Sequence, residues 1–137
     1  MSTDLTRAAP AEKQLRILVV EDNHDVARSQ VLLLRALGHE AFIAHDGLSA
    51  LELAERHTPD VILLDIGIPG LDGWQVAGEL RKKHYAKRPL LVAVTGYGSQ
   101  EDTEKSTAAG IDLHLLKPVL PDDLERLLER FGRIIHG

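Results

Sequence analysis

Four places in this 137-residue chain put a reactive polar residue directly behind a candidate strand. They are Glu21-Asp22 after Ile17 to Val20, Asp65 after Val61 to Leu64, Thr95 after Leu90 to Val94, and Lys117 after Ile111 to Leu116. Brought together, the three carboxylates repel one another, and their ionised forms need a cation. Oxygen donors without His or Cys suit a hard divalent ion, foremost magnesium (Mg2+), which keeps waters and accepts phosphate oxygens. Gly67 adds a backbone carbonyl to that donor set. Asp65 is then a candidate nucleophile, because a carboxylate can take a phosphoryl group and become an aspartyl phosphate. Lys117 offers a positive charge, Thr95 a hydroxyl donor, and Gly96 leaves room for a phosphoryl group to approach. Phosphoryl transfer depends mainly on positioning and charge neutralisation, and this set supplies both.

These residues meet only if the strands behind them run parallel and end at one edge. The run Val61-Ile62-Leu63-Leu64 is wholly apolar and bounded by turn residues, the signature of a strand buried on both faces. Arg16 to Val20, Glu40 to Ala44, Leu90 to Val94 and Ile111 to Leu116 read as four more strands. Between them the spacing predicts helices. The first runs from about His24 to Leu37, capped by Asn23, stopped by Gly38, and inward through Val26, Ala27, Leu33, Leu34 and Leu37. The second follows Asp46-Gly47 with Leu48, Leu51 and Ala54 on one face and ends at Thr58-Pro59. The third follows the cap Asp72 and packs through Val76, Ala77 and Leu80. The fourth opens at Ser99-Gln100-Glu101-Asp102, a capping-box pattern, closes at Gly110, and has no large apolar residue from Glu101 to Thr107. The last starts at Pro121 and carries Leu124, Leu127, Leu128 and Phe131 at helical spacing. Five strands alternating with five helices build an α/β fold, a parallel sheet with helices on both faces. In such sheets ligands collect at the carboxyl edge of the strands.

The length fits one domain, expected over residues 15–134 behind a flexible N-terminal tail of residues 1–14. A formal charge of −5 with no basic stripe argues against direct nucleic-acid binding. No apolar run approaches the roughly 20 residues of a membrane span, and no signal-peptide core follows Met1. The absence of cysteine excludes disulfides and thiol chemistry. The expectation is a cytoplasmic, soluble protein. The seven histidines lack metal spacing; His24, His39, His45, His57, His84 and His136 read as solvated, and Trp74 and Phe131 as packing residues.

Taken in order, these motifs closely resemble the receiver domain of bacterial two-component response regulators. The segments Asp65 to Gly73 (DIGIPGLDG) and Val94 to Gly98 (VTGYG) are particularly similar to receivers of hybrid histidine kinases. The resemblance implies a flavodoxin-like sheet of strand order 2-1-3-4-5, an order that receivers share with flavodoxin itself. It implies that a sensor or hybrid histidine kinase, or a histidine phosphotransfer protein, donates a phosphoryl group to Asp65 with magnesium. The phosphorylated form would then favour another surface on the fourth helix, fifth strand and fifth helix and slowly dephosphorylate itself, without turnover of a separate substrate. The expected assembly is a monomer or a weak phosphorylation-dependent dimer. Lys117-Pro118 would be a cis peptide. Gly67 and Tyr97 would flank the phosphoryl site and tune water access. The family's aromatic switch, three residues before the Lys and coupled to Thr95, is here His114, and Glu21 stands where Asp is more frequent.

Three rival readings are weaker. A phosphatase with an Asp nucleophile commonly has a second Asp two residues on, where this chain has Gly67. A flavin-binding flavodoxin needs a phosphate loop where Glu21-Asp22 would repel phosphate. A receiver fold used only for phosphorylation-independent docking is the alternative that the intact residue set argues against. No effector domain follows within the chain. The expectation is a stand-alone regulator, a phosphorelay shuttle or a receiver from a hybrid kinase, and the starting Met and the tail favour a stand-alone protein.

Overall fold

The structure, a computed structural model, describes residues 14–66, 73–83, 88–96, 104–105 and 107–136. Among the described residues there are five strands and four complete helices: β1 (Arg16–Val20), α1 (His24–Ala36), β2 (Glu40–Ala44), α2 (Gly47–His57), β3 (Val61–Asp65), α3 (Gly73–Lys82), β4 (Leu90–Thr95), β5 (Leu113–Leu116) and α4 (Pro121–His136). All strand pairs are parallel, in the order β2-β1-β3-β4-β5. The expected sheet and its order are therefore observed. Of the expected helix before Gly110, residues 104–105 and 107–108 are helical, while its capping box lies outside the described residues. So do the expected tail up to residue 13 and the Asp72 cap.

Alternating strand residues feed two apolar layers. Leu18, Val20, Ile62, Leu64, Leu91 and Ala93 pack with α2 and α3. Ile17, Val19, Val61, Leu63, Val92 and Val94 pack with α1 and α4. Burial on both faces is why these strands read as unbroken aliphatic runs. Asn23 caps α1, its Oδ1 accepting from the Val26 N–H at 3.0 Å, and Asp46 caps α2, its Oδ1 accepting from the Ser49 N–H at 2.8 Å.

Two helix faces differ from the sequence reading. In α1 the buried stripe is Ala27, Val31 and Leu34, and Val26 is exposed. In α2 the buried residues are Gly47, Ala50 and Ala54, while Leu48 is 72% exposed. Small residues let α2 lie close to the sheet, so the stripe is carried by Gly and Ala; of the expected inward residues Ala54 is buried and Leu51 packs against the same layer, and Leu48 alone faces out. Strand β5 begins at Leu113, two residues later than expected, because Ile111 still packs into the α2–α3 layer.

Candidate functional site

The carboxyl ends of β1, β3 and β4 and the residue after β5 converge. Glu21 directly follows β1; its N–H donates to the Ala44 carbonyl at 3.0 Å, and its Oε2 accepts from the Asn23 N–H at 3.1 Å. Asp65 closes β3 and is 7% exposed, while Glu21 is 3% exposed and Asp22 lies open to solvent. Carboxylate oxygens of Glu21, Asp22 and Asp65 all lie within 4.8 Å of one another. Lys117 Nζ donates to Asp65 Oδ2 at 3.0 Å and stands 3.7 Å from Glu21 Oε1. The Lys117 N–H donates to the Thr95 carbonyl at 2.9 Å, which ties β5's exit to β4's end, and the Lys117–Pro118 peptide is cis.

One ammonium facing two buried carboxylates leaves an excess of negative charge. Glu21 carries the consequence: its carboxyl is pushed up to about 7, first by burial and then by its hydrogen bond to Asp65 and the Asp65 charge, against the Asn23 amide and Lys117. Lys117 is held above the ordinary amine value. Burial opposes its charge, but the hydrogen bond to Asp65 and the two carboxylates outweigh that cost. An all-oxygen donor set with surplus negative charge and one solvent-facing carboxylate fits a hard divalent cation. The site opens into a groove of about 880 Å³ that continues past Asn23 over Val26, Ser29 and Gln30 of α1 and past Pro118 and Val119.

Thr95 is half-buried at the end of β4, one residue beyond Val94, the register partner of Asp65 on β3. A Cβ built on Gly96 would meet nothing within 4 Å, so the protein's own packing leaves that space open. Gly67 and Tyr97 lie outside the described residues. His114 is exposed on β5, opposite Ala93, and with Leu127, Arg130 and Phe131 lines a second groove of about 650 Å³ between β5 and α4.

Two supporting residues escaped the sequence reading. A Cβ on Gly73 would stand 2.5 Å from Ile66 Cα and 3.1 Å from the Asp65 carbonyl, so α3 can start against the Asp65–Ile66 peptide only with glycine there. The Asp72-Gly73 pair was the available signal, but it also reads as an ordinary helix start. His45, expected to be solvated, meets the Glu21 carbonyl through Nδ1 at 3.0 Å and stacks on His24. His39 and His57 are likewise engaged: His39 Nδ1 accepts from the Leu15 N–H at 3.0 Å, and His57 stacks on Phe42.

Residues 17–129 match the model of the response regulator receiver domain. A gliding motility regulatory protein of Myxococcus xanthus is 34% identical over 87% of this chain, which spans only 16% of that protein. The polar-differentiation response regulator DivK of Brucella anthropi is 31% identical, the match covering 85% of this chain and 95% of that protein. The receiver domain of the sensor histidine kinase PA1611 of Pseudomonas aeruginosa, solved with a magnesium ion coordinated in its active site cleft, superposes with a TM-score of 0.79. That match has 34% identity and covers 88% of this chain and 98% of that domain. The chain belongs to the response regulator receiver domain family of two-component signalling.

Proposed function

We propose that this receiver domain is a phosphorylation switch whose acceptor is Asp65. The observation that carries the reading is the convergence of three carboxylates within 4.8 Å, with the Lys117 ammonium 3.0 Å from Asp65 Oδ2. Glu21, Asp22 and Asp65, with the carbonyl of Gly67, would hold magnesium, which when bound neutralises charge on the transferring oxygens. An Asp65 carboxylate oxygen attacks the phosphorus of a phosphohistidine. The new O–P bond forms as the P–N bond breaks, and the bonding pair returns to the donor imidazole. Lys117 passes from the carboxylate to the phosphoryl oxygens, and the Thr95 hydroxyl donates to them. Hydrolysis later restores the carboxylate and releases phosphate.

The donor is a sensor or hybrid histidine kinase or a histidine phosphotransfer protein, approaching along the groove over Val26, Ser29 and Gln30. The output is the face formed by the segment before Gly110, β5 and α4, with His114 in place of the usual aromatic switch coupled to Thr95. A cytoplasmic location accords with this role, and no described helix is long and apolar enough to cross a membrane. Incubation with magnesium and acetyl phosphate should form an acyl phosphate. Chelation of magnesium should abolish it, and Lys117→Ala should slow it by about 100-fold, in the range of a lost transition-state charge contact. Formation at an unchanged rate in chelator would contradict the assignment.

A further inference from the structure

The acidic pair sits on a backbone that the opposite strand grips from two sides, and the second grip is made by histidine. The Glu21 N–H donates to the Ala44 carbonyl at 3.0 Å, and His45 Nδ1 lies 3.0 Å from the Glu21 carbonyl. A carbonyl only accepts, so Nδ1 carries the proton. His45 is itself fixed at two points. The next residue, Asp46, caps α2, and the His24 ring lies over the His45 ring at 3.8 Å with an interplanar angle of 5°. His24 is the first residue of α1, directly after the Asn23 cap. The two loops that carry the starts of α1 and α2 are therefore tied together through Glu21's own peptide.

We propose that His45, braced by His24, is a positioning residue for the magnesium-binding carboxylates. The inference rests on the magnesium reading above and extends it. Glu21 has little freedom to find its place by side-chain motion: it is 3% exposed, and its Oε2 is engaged by the Asn23 N–H. Where its carboxylate stands relative to Asp22 and Asp65 is set by its backbone, and His45 holds that backbone's carbonyl. Hydrogen-bond partners behind a ligand set orient it, and losing one typically costs about 10–100-fold in metal affinity.

The test is magnesium titration of the full 137-residue chain, followed by amide chemical shifts, with metal-free melting temperatures as the folding check. His45→Ala should weaken magnesium binding about tenfold. His45→Asn, whose side-chain amide places an N–H near the Nδ1 position, should recover affinity to within about twofold of wild type. His24→Ala should cost about threefold and His24→Phe, which keeps a stacked ring, almost nothing. In wild type, long-range nitrogen–proton spectra should show His45 protonated at Nδ1. Wild-type affinity in His45→Ala, failure of His45→Asn to recover it, or a proton on Nε2 alone would overturn the inference and leave the magnesium reading standing. If His45→Ala does not fold, the Asn variant and the His24 pair decide by the same criteria. No binding in wild type would overturn the magnesium reading and this inference with it.

Discussion

Glu21 is held in a place that suits it as a metal ligand and strains it as a free carboxylate. Its carboxyl is raised from 4.5 to about 7, so between those values the folded chain holds a proton that the unfolded chain has lost. Folding stability from this group is therefore full below pH 4.5 and falls as pH rises towards 7, by an amount on the order of 3 kcal/mol. Melting temperatures of metal-free protein across that range should show the decline, and Glu21→Gln should flatten it. Magnesium should release a proton on binding near neutral pH and reverse the loss; an unchanged slope in Glu21→Gln would contradict this account. His39 contributes with the opposite sign. Burial, partly offset by the Asp60 charge, lowers it from 6.5, so its stabilisation is lost as pH falls below that value. His39→Asn, which keeps an acceptor for the Leu15 N–H, should remove that acid loss. Asp65, the acidic pair, the Thr95 hydroxyl and Lys117 were all legible in the sequence, because each closes or follows a run that reads as a strand. The histidine contacts were not, since no local pattern encodes a partner 21 or 24 residues away.

Among the elements, α3 starts directly against the Asp65–Ile66 peptide. Gly73→Ala would drive a methyl into the Ile66 backbone, and overpacking of this kind costs about 1–3 kcal/mol. Denaturant unfolding should show a loss in that range together with weaker magnesium binding, since the Asp65–Ile66 peptide has to yield; an unchanged stability would mean that α3 shifts freely. The segment before Gly110 is the opposite case. Glu104, Lys105, Thr107 and Ala108 are exposed, and Lys105 lies over the Trp74 ring at 5.1 Å. Hydrogen exchange should therefore reach the described amides between Glu104 and Ala109 before those of α1 and α4, as an element able to move requires. Equal protection would count against a mobile switch there. Helix existence and order followed from periodicity and punctuation. The faces of α1 and α2 followed in part: Ala27, Leu34 and Ala54 are buried as expected, but hydropathy also points to the exposed Val26 and Leu48 and passes over Val31, Gly47 and Ala50.

At the scale of the molecule, a parallel sheet apolar on both faces gathers residues far apart in sequence at one edge. Lys117 meets Asp65 across 52 positions and stands near Glu21 as well. That convergence was legible once the strands were read as parallel; their order came from family resemblance, because periodicity carries no information about which strand lies beside which. Under the proposed function, the groove over α1 from the acidic site would receive the phosphodonor and the groove between β5 and α4 would lie on the output face. The most direct test of the central claim is intact mass after incubation with magnesium and acetyl phosphate, for wild type and Asp65→Asn side by side. The account predicts one added phosphoryl group in wild type and none in Asp65→Asn. Equal addition to both would place the acceptor elsewhere, and no addition to either under conditions of proven magnesium binding would contradict phosphorylation of Asp65 by a small donor.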